Sequence, residues 1–316
     1  MKGSGVGMAS GAGVGVVGAD GAVGTYQGSR FRDVRAQLLS DPYQVLPPGR
    51  TRIGDEFKAW KNLLFSDSIT RVDTQDDLVP PHPKLLHSVG ICMFGRWTIT
   101  EDTGYTGCFR RGADHLIVVR CSTLLSHTDR GTRRGFGLAG KIFPTVDPDE
   151  LVKTGNFICI DNLGGTFADR FADVALTNEP PLGVNPGLIP FAFVVLNVVY
   201  CFQRADSVPQ YRPIAPLSER GLAPGETPKA PKWLQVAVED GTVKCDAVDF
   251  RDELRVVNYK DRRLRFSISV ASETSPAGER LFRRVGTIEV TEDVCSVSAD
   301  QRLRFQHTPN RGHTPA

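Results

Sequence analysis

Two sets of short, strand-patterned runs, divided by a long irregular stretch, set the strongest limit on what this chain can become. Val89 to Thr100, Gly107 to Arg111, Leu116 to Leu125 and Phe136 to Phe143 form the first set; Trp233–Val238, Leu254–Val257, Leu264–Val270 and Arg284–Val290 form the second. Gly and charged turn residues separate the runs, which is meander or barrel patterning. The expected fold class is α+β, mainly β: an antiparallel eight-stranded barrel with helical insertions and an N-terminal arm.

The remaining segments organise around that barrel. Residues 1–28 are Gly, Ala and Val with almost nothing large, so a tail is expected, since burial cannot offset the entropy of ordering it. Residues 29–80 read as an arm, with Phe57, Trp60, Leu63 and Leu64 at helical spacing and an acidic, Pro-rich connector at Asp73–Pro83. Residues 81–305 are the barrel domain, 146–232 a helical and Pro-rich insertion within it, and 306–316 a C-terminal tail. The stretch Ser207–Lys232 holds six of the 21 prolines and is expected to be irregular, wrapping over the surface.

Charge and cysteine usage exclude several classes of function. Lys and Arg total 38 against 36 Asp and Glu, a net charge of +2 with no sustained basic block, which gives no footprint for nucleic acid or an anionic membrane. The longest apolar run, Leu188 to Phe202, contains Pro190 and Asn197 and is too short to span a bilayer as a helix. The seven cysteines mostly sit inside strand-like runs such as Ile91-Cys92-Met93 and Ile158-Cys159-Ile160, as small core residues do. No CxxC pair and no zinc-ligand pattern of histidines occurs, so a reduced, cytoplasmic protein without structural metal is expected.

Two nucleotide look-alikes lack their context. Gly13-Val14-Gly15-Val16-Val17-Gly18 matches GxGxxG but has no strand before it and no helix after it. Gly135 to Lys141 satisfies GxxxxGK, yet Ile142 stands where a Mg-binding hydroxyl is required and Pro144 blocks the helix that should follow. There is no GxSxG elbow, HExxH or kinase signature.

Four blocks in series resemble the first barrel half of the haem catalase superfamily: Leu85-Leu86-His87-Ser88-Val89-Gly90, Gly104-Tyr105-Thr106-Gly107-Cys108-Phe109, Val118-Val119-Arg120-Cys121-Ser122-Thr123, and Arg134-Gly135-Phe136 with Lys141 and Phe143 beyond. Thr154-Gly155-Asn156 is similar to that family's Gly-Asn segment, and Pro231–Val238 and Phe282–Val290 are similar to its second barrel half. The resemblance covers residues 80–305 and implies a catalase-like barrel, trimmed of its C-terminal helical part.

It also implies roles. His87 matches the distal histidine that takes a proton from one peroxide oxygen and returns it to the departing one, work suited to a group titrating near neutrality. Ser122 matches the serine that fixes that histidine's tautomer, Asn156 the amide that orients peroxide, and Arg120 an arginine that pairs with a haem propionate. Lys84 stands where a second propionate-binding arginine is expected. The proximal tyrosine is absent: Gln301-Arg302-Leu303-Arg304-Phe305-Gln306-His307 follows the last strand, and no tyrosine follows Tyr259. Either haem b is held through a substitute axial ligand, His307, His313 or an earlier tyrosine, or haem is absent. Two extra residues before Lys141 also depart from the family.

The implied function is a haem-dependent oxidoreductase acting on a hydroperoxide: a peroxidase, peroxygenase or hydroperoxide-rearranging enzyme rather than an efficient catalase. The alternative is a haem-free barrel that binds or converts a small apolar molecule in a biosynthetic pathway. Taken from the residues alone, His87 is also readable as a core histidine, Arg120 as solvent-facing or buried and paired, Asn156 as a turn former, and His307 and His313 as solvated. The expected partner is a small hydroperoxide or apolar substrate, and the arm and Pro-rich stretch are compatible with a homo-oligomer.

Overall fold

A computed structural model describes residues 27–40, 77–79, 89–123, 136–160, 214–217, 227, 230–239, 250–255, 264–294 and 301–305. Eight antiparallel strands close in sequence order into a barrel: β1 Val89–Ile99, β2 Asp114–Thr123, β3 Phe136–Phe143, β4 Gly155–Ile160, β5 Ile214–Pro216, β6 Trp233–Val238, β7 Arg265–Ala271 and β8 Arg283–Val294, with β8 returning to pair with β1. The mainly β barrel expected from the patterning is the fold observed.

At eight strands a barrel is just wide enough for side chains to fill it. The inward positions of alternate residues do so, with Trp97, Phe109, Phe157, Phe266 and Ile288 in one buried cluster. The Trp97 and Phe109 rings meet edge-on at 5.3 Å, and Phe157 lies 5.7 Å from Trp97. A Cβ at Gly140 would overlap the Phe157 ring, so that glycine makes room for the ring. Gly95 is required for a different close approach: the ladder from β1 to β8 slips between Phe94 and Gly95, and a Cβ there would overlap the Glu289 carbonyl.

The outward face is not all solvent-facing. Helix α1, Phe31–Leu39, buries Phe31, Val34 and Leu38, spaced to share one side, against Cys92, Phe94, Val118 and Phe143. The Phe31 ring meets Phe94 and Phe143 edge-on at 5.9 and 5.3 Å. Leu303 and Phe305 join the same cluster. The first three strands therefore carry buried apolar residues on both faces.

Several expectations about individual segments are corrected. Gly107 to Arg111 is not a strand but a 3-10 turn at Gly107–Phe109, entered at a positive φ of Gly107 and fixed by Trp97 Nε1 donating to the Cys108 carbonyl at 2.7 Å. Leu254 is not in a strand but ends a helical turn, Phe250–Glu253. Conversely, β4 and β5 lie inside the 146–232 stretch read as loop, helix and irregular wrap. Gly155–Ile160 breaks the sequence alternation because apolar Ile158 shares the half-buried outer face with Asn156, and Ile214–Pro216 is only three residues long, its proline at the strand end. The division into four strands before and four after a long connection survives, with two of the eight strands reassigned. The arm over 29–80 is expected to be helical; the periodic stretch at 57–70 lies outside the described residues, and the helix observed within the arm is α1.

Candidate active site

The outward face of β2, β3 and β4 carries three of the polar residues singled out in the sequence, Arg120, Ser122 and Asn156. Register builds it in rows. Phe94, Val118, Lys141 and Asn156 are successive partners across β1 to β4; Cys92, Arg120, Ala139 and Ile158 form the next row, and Gly90, Ser122 and Gly137 the one beyond. Residues two apart on a strand share a face, and Val119, Cys121, Leu138 and Ile142 between them belong to the barrel interior. Three residues singled out in the sequence, Arg120, Ser122 and Asn156, thus stand on one face. From Arg120 to Asn156 is two strands across and one row along, about 12 Å between Cα atoms at ordinary sheet spacings.

Arg120 and Ser122 are buried, at 5% and 4% exposure. The reading of Arg120 as a solvent-facing strand residue is therefore corrected: it faces outward from the barrel yet lies buried. Ser122 Oγ donates to the Gly137 carbonyl at 3.4 Å, a long contact. The floor around them is shallow, since Gly90, Gly137 and Ala139 bring almost no side-chain bulk. Asn156 is not a turn former; it lies within β4 opposite Lys141.

Lys141 was not singled out as a site residue, and it organises one end of this face. Its side chain is fully buried, with Nζ 2.5 Å from Asp77 Oδ1 and 2.6 Å from Asn156 Oδ1. Thr154 Oγ1 donates to the same Asp77 oxygen at 2.8 Å. Backbone bonds from Val79 N to the Arg302 carbonyl and from Arg304 N to the Asp77 carbonyl, both 3.0 Å, draw 77–79 and 301–305 together over this spot, and the Phe305 ring lies 5.6 Å from Nζ. Burial pushes the Lys141 ammonium below its ordinary pKa, Asp77 opposes that shift, and Arg304 adds to it. One sequence signal pointed here: Lys141 occupies an outward position between Ala139 and Phe143, so a covered outer face implies a buried lysine. Nothing in the sequence singled out Asp77. Lys141 sits in mid-strand, which removes the GxxxxGK look-alike as a phosphate loop.

The other expected residues, His87, Lys84, His307 and His313, lie outside the described residues; β1 opens at Val89, two positions after His87. The one histidine among the described residues, His115, is half-buried at the opposite end of β2 from Ser122, and burial lowers its pKa. Among the described residues no group of three or more His, Cys, Asp or Glu is placed to hold a metal ion, and no helix is long and apolar enough to cross a membrane.

No family model and no curated protein matches the chain. Among solved structures it is similar to catalase A from Saccharomyces cerevisiae, at 12% identity and a TM-score of 0.40 over 80% of this chain and 59% of that one. A fungal catalase matches at 14% identity and TM-score 0.38, over 79% and 57% of the two chains, and a bacterial catalase at 14% and 0.42, over 81% and 60%. The chain spans less than two thirds of the length of each of these catalases. The likeness is coarse, and no property of those proteins transfers to this chain on its strength.

The described residues meet part of what a haem requires. Gly90, Gly137 and Ala139 carry little side-chain bulk where a flat apolar macrocycle would lie, although all three are buried, and the guanidinium of Arg120 is of a type that pairs with a propionate. Among the described residues of this face, Cys92 is of a type that ligates haem iron, and it is packed in the cluster under α1. Of the earlier tyrosines, Tyr105 is described and is no candidate: its ring packs against the interior cluster and its hydroxyl meets Ser272 Oγ.

Proposed function

We propose that the chain is a haem-dependent oxidoreductase that acts on a hydroperoxide on the outer face of β2, β3 and β4. What chiefly supports the reading is the gathering of Arg120, Ser122 and Asn156 on one face around a floor of glycine and alanine. Haem would supply the redox chemistry of O–O cleavage. In this reading Arg120 pairs with a propionate, Asn156 donates to a peroxide oxygen, and His87 takes the proton from one oxygen and returns it to the departing one, its tautomer fixed by Ser122. Lys84 is the second propionate partner. The haem iron would be held by a residue outside the described ones, His307 as the first choice and His313 as the second.

The test is the rate of hydroperoxide consumption by the haem-loaded chain. His87→Ala should leave the haem absorption band in place and slow turnover by roughly 10²–10⁴-fold, the usual contribution of a general acid–base group. An unchanged rate removes His87 from the reaction.

A haem-free barrel binding a small apolar molecule is the second reading, and one observation shapes it. The barrel interior is filled by Trp97, Phe109 and Phe157, so such a ligand would also bind outside the barrel. Hemin binding separates the two.

A further inference from the structure

An asparagine amide has two ends of nearly the same shape and opposite function, a carbonyl that accepts and an NH2 that donates. Which end faces a ligand is decided by what holds the other. At Asn156 the holder is Lys141, its direct cross-strand partner, whose ammonium carries three donors and no acceptor. The 2.6 Å contact to Nζ must therefore be made by Oδ1, and the NH2 end cannot take its place without setting donor against donor. Lys141 is fixed in turn. Asp77 lies 2.5 Å from the same Nζ, Thr154 donates to that Asp77 oxygen at 2.8 Å, the Asp77 carbonyl accepts from Arg304 N at 3.0 Å, and the Phe305 ring lies 5.6 Å from Nζ.

We infer that Lys141, keyed by Asp77, is a positioning residue that turns Asn156 into a one-way donor, so that this end of the outer face recognises a ligand through an acceptor oxygen. The orientation of the amide follows from the lysine contact alone. Its use on a hydroperoxide rests on the function proposed above. A peroxide oxygen, which accepts readily, is the kind of atom such a donor suits; a ligand group that can only donate is rejected.

The test uses the full-length chain and has two readouts. The side-chain NH2 signals of Asn156 are identified in a 15N-correlation spectrum by their loss in Asn156→Asp. In the double variant Lys141→Met/Asp77→Leu, which removes both charges together, these signals should shift or split as the amide gains a second orientation. Signals left unmoved overturn the inference. The second readout is turnover of cumene hydroperoxide by the hemin-loaded chain. The double variant should lose kcat by about 10²-fold with KM little changed, as misplacement of a reacting partner does, and an unchanged kcat overturns the inference. Asn156→Asp covers the case in which the double variant does not fold. It keeps an acceptor for Lys141, so its melting temperature should hold while turnover falls, and full turnover in this variant overturns the inference. If the wild-type chain shows no turnover at all, the proposed function fails, and the NH2 spectrum alone decides whether Lys141 orients Asn156.

Discussion

Lys141 and Asp77, 64 residues apart in the sequence, meet at 2.5 Å with side chains 0% and 3% exposed. A buried pair of this kind contributes little net stability against an apolar replacement of both partners, but removing one strands the other's charge. Lys141→Met alone is therefore expected to cost about 3–5 kcal/mol, and Lys141→Met/Asp77→Leu to recover most of it. Urea denaturation of the three proteins measures this. A single-variant loss below about 1 kcal/mol would mean that water reaches Asp77.

The barrel interior is filled to the point where one methyl group matters. Gly140→Ala places a Cβ into the Phe157 ring, so overpacking should destabilise the barrel by about 1–3 kcal/mol. Adding Phe157→Leu should return part of that loss. Independent, additive effects of the two substitutions in thermal unfolding would contradict the contact.

The strands that were legible in the sequence are those with one clear period. β1, β2 and β3 in the first half, and β6, β7 and β8 in the second, follow their runs to within a few residues. The turn at Gly107–Phe109 was mistaken for a strand because five residues with inward Cys108 and Phe109 do not separate the two patterns. β4 and β5 are hard to read for physical reasons: in β4 only Ile158-Cys159-Ile160 looks strand-like, because polar Asn156 and apolar Ile158 share one face, and β5 is held by a few cross-strand bonds that local composition does not encode. Of the site, Ser122, Arg120 and Asn156 are picked out only by the resemblance of their segments to a known family; residue type and spacing alone leave Arg120 as an ordinary strand residue and Asn156 as a turn former. The Lys141–Asp77 contact was not legible, because only tertiary folding brings the segment at 77–79 onto β3.

Burial pushes the Cys108 thiol up to about 12. A folded-state pKa above the unfolded one means that the unfolded chain loses this proton first. The contribution is thus fully present below pH 9 and is lost as pH rises from 9 towards 12. By pH 10 the loss from this group should reach about 1.4 kcal/mol. Unfolding free energies at pH 7.5 and pH 10 measure it in the wild type and in Cys108→Ala, where the alkaline fall should be smaller by that amount. Equal falls in both proteins would show that Cys108 ionises in the folded state. Trp97 donates to the Cys108 backbone carbonyl, so the substitution leaves that bond in place.

The most direct test of the outer face as a cofactor site is an absorbance titration of the full-length chain with hemin, alongside the protein purified from cells supplied with a haem precursor. The expected result is a Soret band that saturates at one haem per chain. A colourless preparation that also leaves the spectrum of added hemin unchanged contradicts haem binding on this face.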